Sequence, residues 1–296
     1  MAVRDRSGRP GVIWAVPALT YFAIFALLPM ALVVYLSFTK WNGLGDPRWA
    51  GAANWARLLH DPQVLQSLRL SAILTAVTWA FQTAVSLPIG VWAAGPQRSR
   101  AVLATIFFLP LLLSSSAIAV LWSALLDPNF GLAGLIGPWL GVSDGNFIGS
   151  PSLALWTIMA VISWQFIPFH TLLYQSATRQ IPTVLYEAAV IDGAGRFQQF
   201  RRITVPQLRH TIITSSVLMI VGSLTYFDVV LIMTGGGPGT ATRILPLDMY
   251  LTGFSSFQLG YASVLAVILL AFGTALSLLV VRVTGYRRMT SQREGL

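Results

Sequence analysis

Residues 186–206 read YEAAVIDGAGRFQQFRRITVP, the longest stretch of mixed, charged composition in an otherwise apolar chain. Just before and within it, Val184, Ala188 and Ile191 recur at i, i+4 and i+7, a spacing that predicts a short helix with one apolar face. Gly193 is expected to end that helix, because glycine adopts the left-handed C-terminal conformation at low cost. Long apolar segments lie on both sides. We interpret the stretch as a helix–turn–helix element docked at a membrane surface.

The composition of the whole chain places it among integral membrane proteins. Of its 296 residues, 55% are hydrophobic and 10% are charged, and the mean hydropathy is +0.70. Soluble domains carry about 25% charged residues. Cysteine is absent from the sequence, which excludes disulfides, a thiol nucleophile and a thiolate metal site.

Six apolar segments pass the length test for a membrane span, since about 20 helical residues cross a hydrocarbon core of about 30 Å. They are predicted at 12–38, 68–94, 101–126, 152–175, 209–233 and 261–283. The first exceeds the core of a signal peptide and lacks a small-x-small cleavage site, so we expect it to remain uncleaved. The predicted fold class is an all-α, polytopic membrane protein with six transmembrane helices, in which 1–296 form a single transmembrane domain. Residues 176–208 form the loop after the fourth span.

The basic residues predict the orientation of these spans. If the N-terminus is cytoplasmic, 14 of the 19 basic residues fall on the cytoplasmic side, as the positive-inside rule requires. The other five are Lys40, Arg48, Arg57, Arg69 and Arg243. The net charge of +9 is then an orientation signal that faces anionic membrane lipid and not a nucleic-acid footprint. Both termini and residues 176–208 are expected in the cytoplasm, in a multi-pass protein of the cell (cytoplasmic or inner) membrane.

The fourth and fifth spans contain the candidates for a substrate pathway. These are Trp164, Gln165, Phe169, Ser223, Tyr226 and Asp228. Aromatic faces stack on sugar C–H surfaces, while amides and hydroxyls match sugar hydroxyls, so this lining suits a neutral hydroxylated ligand. A buried amide in lipid must face protein or a water-filled cavity. Interhelical hydrogen bonding and core packing explain the same residues equally well, and both interpretations stay open.

Helix breakers and small residues mark further positions in three of the predicted spans. Pro88 and Gly90 in the second span, and Pro168 in the fourth, predict kinks or a flexible gate. The serines at 114–116 are expected near the middle of the third span, where small hydroxyl side chains let helices approach closely.

The opening stretch resembles the EAA loop of bacterial ABC importer permeases. The match consists of Glu-Ala-Ala, then Gly, then nine residues before Ile-x-Val-Pro, at the spacing of that family. The resemblance implies a cytoplasmic loop that inserts into a cleft on an ATPase subunit. The coupling residues it designates are Glu187, Ala188, Ala189, Asp192, Gly193, Ile203 and Pro206.

A second set of motifs is similar to carbohydrate-type ABC permeases, and specifically to the first of their two non-identical permeases. It comprises Phe227-Asp228, the Thr-Gly-Gly-Gly-Pro of 234–238, and Gly-Tyr-Ala-Ser at 260–263. The resemblance implies an ABC type I importer permease fold and alternating access. The implied partners are a second homologous permease (as a heterodimer), two ATPase subunits and an extracellular or periplasmic solute-binding protein. The implied substrate is a sugar, a mono- or oligosaccharide. A neutral sugar is favoured because no arginine cluster lies within the spans, although phosphorylated polyols stay open.

Enzymatic functions find no support in the sequence. The one lysine, Lys40, is followed by Trp41, so there is no Walker A motif, and ATP with its magnesium is expected on the partner ATPase. The three histidines never form an HExxH motif, and no Gly-x-Ser-x-Gly elbow is present. No catalytic residue, metal site or cofactor is therefore predicted. The alternatives are a subunit of an ion-coupled secondary transporter, which typically needs intramembrane ionisable residues, and a membrane sensor or scaffold.

Overall fold

The computed structural model describes residues 12–95 and 107–283, which are almost entirely helical. The described residues divide into two compact units. The first contains the described residues up to Asp61 together with Met249–Ile268. The second contains Pro62 to Asp248, apart from the undescribed 96–106, together with the described residues from Leu269 onward.

The first unit begins with one long apolar helix. Helix α1 (Val16–Phe22) continues through a π-helical turn (Ala23–Leu27) into α2 (Leu28–Ser37). Two short antiparallel strands follow, β1 (Thr39–Lys40) and β2 (Arg48–Trp49), with Thr39 opposite Trp49. Helix α3 (Ala53–Leu58) covers them, and Asn54 donates to the carbonyls of Ser37 and Thr39 at 3.0 and 2.8 Å. This amide therefore fixes the turn at the end of the first span.

The remaining helices follow in chain order. They are α4 (Pro62–Ala93), α5 (Ser115–Leu125), α6 (Ala133–Ile136), α7 (Ala154–Thr178), α8 (Thr183–Ile191), α9 (Arg196–Gln199), α10 (Val205–Gln207), α11 (Arg209–Ser223), α12 (Phe227–Thr234), α13 (Leu245–Tyr250) and α14 (Leu259–Val283). Short 3₁₀ segments occupy Leu109–Leu112 and Pro138–Leu140. π-Helical turns occupy Phe200–Thr204 and Leu251–Ser255.

Helices α4 and α7 form the centre of the second unit. A β-carbon on Gly90 would lie 2.7 Å from Tyr174 Cβ and 2.8 Å from the Thr171 carbonyl, so glycine permits this close approach. Near the same end of the pair, Gln175 Nε2 donates to the Ala93 carbonyl at 2.9 Å. Helix α4 runs unbroken through Pro88. The residue that looked like a breaker in the sequence, Gly90, is thus a helix-packing position.

Helix α11 joins this pair through buried polar contacts. Trp79 Nε1 on α4 donates to Ser216 Oγ at 2.9 Å, and His170 Nδ1 on α7 lies 2.8 Å from Ser215 Oγ. Such interhelical hydrogen bonds satisfy polar side chains that would otherwise face a medium without water.

Four described helices are long and apolar enough to cross a membrane: Val16–Ser37, Pro62–Ala93, Ala154–Thr178 and Leu259–Arg282. Arg209–Ser223 and Phe227–Thr234 add a fifth span if they are counted together, although a bend of 45° separates them. The chain is therefore a multi-pass, mostly helical membrane protein with four or five apolar spans among its described residues.

The predicted third span differs from a simple helix in its described part. Residues 101–106 lie outside the described range, and the rest holds a 3₁₀ turn and the 11-residue α5. Ser114 was expected near the middle of the span. It instead caps the start of α5, where its Oγ accepts from the Ala117 N–H at 3.2 Å. A serine oxygen satisfies a first-turn N–H that would otherwise lack a partner, so the helix begins here.

Several of the basic residues that predict the membrane orientation lie outside the described residues. They are Arg4, Arg6, Arg9, Arg98, Arg100, Arg287, Arg288 and Arg293. Both chain termini also lie there. Six spans and cytoplasmic termini therefore stay predictions.

Candidate functional site

Residues 186–206 belong to a compact element outside the spanning helices. Helix α8 ends at Ile191, and Gly193 has φ of +76°, in the left-handed region. The Ala194 N–H donates to the Ala189 carbonyl at 2.8 Å, and the Gly193 N–H donates to the Val190 carbonyl at 3.0 Å. This pair of bonds is the Schellman arrangement that satisfies the last carbonyls of a helix. The predicted role of Gly193 as helix terminator is confirmed.

The apolar face of α8 points away from the rest of the chain. Val184 is 66% exposed and Ile191 is 86% exposed, and Ala188 between them is exposed as well. Only the neighbouring Ala189 is buried among the residues of the Glu-Ala-Ala motif. Helix α8 is not one of the spanning helices, so this face does not belong to a membrane span. An exposed apolar stripe beside the carboxylate of Glu187 is a surface suited to another protein.

The opposite side of α8 is tied to the segment that follows. The hydroxyls of Tyr186 and Thr204 lie 2.9 Å apart, and Thr204 is buried. Thr204 Oγ1 also donates to the Gln199 carbonyl at 3.4 Å, which leaves its oxygen to accept from Tyr186. The hydrogen bond connects α8 to the end of the π turn, with α9 lying between them in the chain.

The structure places the predicted coupling residues in two environments. Glu187, Ala188, Asp192, Gly193 and Pro206 are exposed, Ile203 is half-buried and Ala189 is buried. The exposed residues lie on the helix and at its end. The two apolar side chains Ala189 and Ile203 contribute to the interior of the element.

The predicted pathway residues all lie in the second unit, in different surroundings. Gln165 on α7 is buried, with Nε2 3.4 Å from the Leu113 carbonyl and from Ser115 Oγ. Its Oε1 has no hydrogen-bond partner within the described part of the chain. An unsatisfied buried amide oxygen is costly. Gln165 therefore packs against the start of α5, with its amide oxygen buried inside the chain.

Ser223 and Tyr226 lie on either side of the bend between α11 and α12. Ser223 Oγ is 2.7 Å from Thr75 Oγ1, so a helix contact within this chain occupies it. Tyr226 is buried, and its ring centroid lies 5.0 Å from that of Phe166. Both residues pack inside the unit, as the structural alternative anticipated.

The other three candidates are more accessible. Trp164 is exposed and meets Trp122 edge-on at 5.4 Å between centroids. Phe169 and Asp228 are half-buried. Asp228 occupies the first turn of α12, where the positive end of the helix dipole favours a carboxylate. A common cavity that joins all six residues stays a prediction.

Comparison with known proteins assigns the chain to a family. A profile of the family described as "Binding-protein-dependent transport system inner membrane component" matches residues 86–286. The chain belongs to this family. It is accordingly a transport subunit of a membrane and not an enzyme.

Curated relatives and solved structures agree with this assignment. A probable ABC transporter permease protein of Pyrococcus horikoshii is 32% identical, over 88% of this chain and 90% of the relative. The trehalose/maltose transport system permease protein MalF of Thermococcus litoralis is 30% identical over 97% of each chain. A chain in the crystal structure of a bacterial ABC transporter, involved in the import of the acidic polysaccharide alginate, superposes with a TM-score of 0.81 at 21% identity. That match covers 95% of this chain and 96% of the other. At that identity the structural likeness establishes the fold alone.

The Gly-Tyr pair of the second motif of this permease has a structural basis in the first unit. A β-carbon on Gly260 would overlap the Thr39 carbonyl oxygen, so no other residue fits. The Arg57 guanidinium lies 3.9 Å above the ring of Tyr261, whose hydroxyl donates to Asp61 Oδ2 at 2.8 Å. These contacts border an open cavity of about 740 Å³.

The buried acid of this permease is one that the sequence analysis missed. Asp248 is 2% exposed, and its Oδ1 lies 2.7 Å from both Nε and an Nη atom of Arg243. Ser67 Oγ on α4 donates to its Oδ2 at 3.1 Å. The sequence pointed to Asp228 because that acid lies in an apolar run. The sequence feature that could have revealed Asp248 is its position five residues after an arginine, near the start of a short helix that follows a glycine-rich turn.

Proposed function

We propose that this chain is the transmembrane permease subunit of an ATP-driven, binding-protein-dependent importer that carries a sugar across the cytoplasmic membrane. A family relative over nearly the whole length is a trehalose/maltose permease, and the fold matches a permease chain of an alginate importer. The proposed substrate is a neutral mono- or oligosaccharide, because the spans contain no arginine cluster that would select an anion.

The observation that carries this proposal is the exposed apolar face of α8 with its Schellman terminus at Gly193. If ATP drives transport, its energy reaches this chain through contact with an ATPase subunit, because the sequence has no Walker A motif. Glu187 and Ala188 offer a charged and an apolar contact on one short helix, and both side chains are exposed. We assign to this element the docking of an ATPase subunit, which binds ATP and magnesium. This chain itself needs no cofactor.

The proposed assembly contains a second homologous permease, two ATPase subunits and an external solute-binding protein. The six-span topology has both termini and the loop 176–208 in the cytoplasm, since 14 of 19 basic residues then lie on that side. Closure of the ATPase dimer moves α8 as a lever and turns the pathway outward. The binding protein then releases its sugar between the two permeases, and hydrolysis restores the inward state.

We assign the sugar pathway to the region of the bend between α11 and α12 and the facing part of α7. Its side chains are Trp164, Gln165, Phe169, Ser223, Tyr226 and Asp228. The half-buried or exposed members, Trp164, Phe169 and Asp228, would meet the sugar or the second permease directly. The buried members would shape the pathway from behind.

The test is reconstitution of the full complex in liposomes, with the binding protein supplied outside. The proposal predicts ATP hydrolysis that rises when binding protein and its sugar are both present, together with uptake of labelled sugar. Uptake driven by an ion gradient in the absence of ATP would instead support a secondary transporter.

A further inference from the structure

A second cavity, of about 400 Å³, lies beneath the coupling element in the second unit. It is lined by the ends of α4 and α7 and by the first residues of α8 and α9. Two arginines, Arg179 and Arg196, border it together with the polar residues Thr183 and Gln199. Val91 contributes apolar surface. No aspartate or glutamate is among the lining residues.

The two arginines have no acidic partner in the part of the chain that the structure describes. There, the recorded ion pair is Arg243 with Asp248, both outside this cavity. Two guanidinium groups around one concave surface attract an anion, and their planar donors fit the oxygens of a phosphate in pairs. Arg179 and Arg196 therefore give the cavity the chemistry of a phosphate site.

The start of α8 adds to this attraction. The helix is capped by Pro182, has no side-chain cap and carries no acidic residue in its first turn. The positive end of its dipole is thus not offset by an acidic side chain in its own first turn. Thr183, the first residue of α8, lines the cavity.

The position of the cavity distinguishes between possible phosphates. Helices α4 and α7 both qualify as membrane spans, and they end at Ala93 and Thr178, beside the cavity. A site at the end of two spans lies at the level of lipid headgroups, and Val91 and Ile181 supply apolar contacts. A soluble phosphate would use the arginines but gain nothing from those contacts.

We propose that this cavity binds the phosphate group of an anionic phospholipid at the membrane surface. Because Tyr186 and Thr204 also line it, a bound lipid would brace the base of the coupling element. This last consequence rests on the proposed function, whereas the binding site does not.

The test measures lipid retention by the detergent-solubilised full-length chain, using native mass spectrometry with phosphatidylglycerol and, separately, phosphatidylcholine. Recovery of an ATPase subunit is measured separately. The variant removes both charges, Arg179→Gln with Arg196→Gln. The matched control is Arg201→Gln with Arg202→Gln, which removes two exposed charges from the same loop outside the cavity. We expect phosphatidylglycerol affinity to fall about 30-fold in the variant, since each basic residue near the surface contributes about a factor of five. The control should bind as the wild type does.

Three results would overturn the proposal. If the control pair loses as much phosphatidylglycerol affinity as the variant, the lipid is held by general surface charge and not by the cavity. Competition by inorganic phosphate as strong as that by phosphatidylglycerol would assign the site to a soluble anion. Loss of ATPase recovery in the variant with unchanged lipid retention would assign the arginines to a protein interface. If the double variant fails to fold, Arg196→Gln alone provides the same comparison. Retention is scored without hydrolysis or transport, so it fails independently of the proposed function.

Discussion

The hydroxyl oxygens of Tyr186 and Thr204 lie 2.9 Å apart and join the exposed helix α8 to the π turn that leads into the next spanning segment. Eighteen residues separate the two side chains along the sequence. The contact therefore links the two ends of the element directly, in addition to the backbone. We propose that it transmits movement of α8 to the spanning segment that follows.

Tyr186→Phe is expected to loosen the coupling element without removing its docking face. A net hydrogen bond of this kind contributes about 1 kcal/mol, so assembly should persist while sugar uptake per ATP hydrolysed falls. Uptake and hydrolysis measured in the same proteoliposomes give that ratio. Tyr35→Phe on the exposed surface of α2 is the control and should leave the ratio unchanged. An unaltered ratio in Tyr186→Phe would mean that the hydroxyl pair has no mechanical role.

Asp248→Asn is expected to destabilise the permease. The change weakens charged hydrogen bonds to a carboxylate that is 2% exposed, and such bonds contribute about 2 kcal/mol. The thermal unfolding midpoint of the purified protein should fall, whereas Asp46→Asn at an exposed acid should leave it unchanged. Adding Arg243→Gln to Asp248→Asn should recover part of the loss, because no charge is then left unpaired. An unshifted midpoint in Asp248→Asn would show that the ion pair is unimportant for stability.

The sequence predicted features that depend on local chemistry or on length. The end of α8 at Gly193 followed from the conformational freedom of glycine, and most spans followed from apolar length. The hydrogen-bond partners of buried polar residues could not be predicted. Periodicity shows which helix face a residue occupies, but it does not show which residue of another helix that face contacts. Gly90 was read as a breaker since its contact with Tyr174 joins positions 84 residues apart. The bend that interrupts 209–233 was likewise not predicted, because the length test treats the whole segment as one span.

The sequence of one chain also could not predict that the apolar face of α8 is exposed. Val184, Ala188 and Ile191 follow the spacing of a helix that packs on its own protein, yet the structure exposes them. Our proposal assigns this exposed pattern to the contact with a partner subunit. Ser223 is a second example, since its contact with Thr75 Oγ1 could not be predicted from spacing along the sequence.

Topology gives a test that is independent of transport. Reporter fusions at Gly141 and at Arg196 should report opposite sides of the membrane, outside and inside respectively. Gly141 is exposed between α6 and α7, and Arg196 begins α9, so both accept an insertion at the surface. The same side for both fusions would contradict the six-span arrangement.

Tyr226→Ala is expected to impair sugar uptake while assembly and basal ATP hydrolysis persist. The ring packs on Phe166 beside the bend of the broken span, and its loss leaves a cavity that alters the shape of the pathway. Alanine variants of Gln165, Phe169 and Ser223 should act on uptake in the same direction. Normal uptake in all four would refute the pathway assignment.

Recovery of the ATPase on tagged permease, with the charge of Glu187 reversed, is the most direct test of the coupling assignment. Our account pairs Glu187 with a basic surface of the ATPase, so Glu187→Lys creates a like-charge contact, which costs several kcal/mol. Gly193→Val strains a φ of +76° by about 1–2 kcal/mol. We predict normal membrane insertion and permease pairing for both, with weak ATPase recovery and no uptake, and the larger loss of recovery in Glu187→Lys. Asp144→Lys, the same charge reversal at an exposed acid on the side predicted to be external, should recover the ATPase fully. Wild-type recovery and uptake in both Glu187→Lys and Gly193→Val would contradict the account.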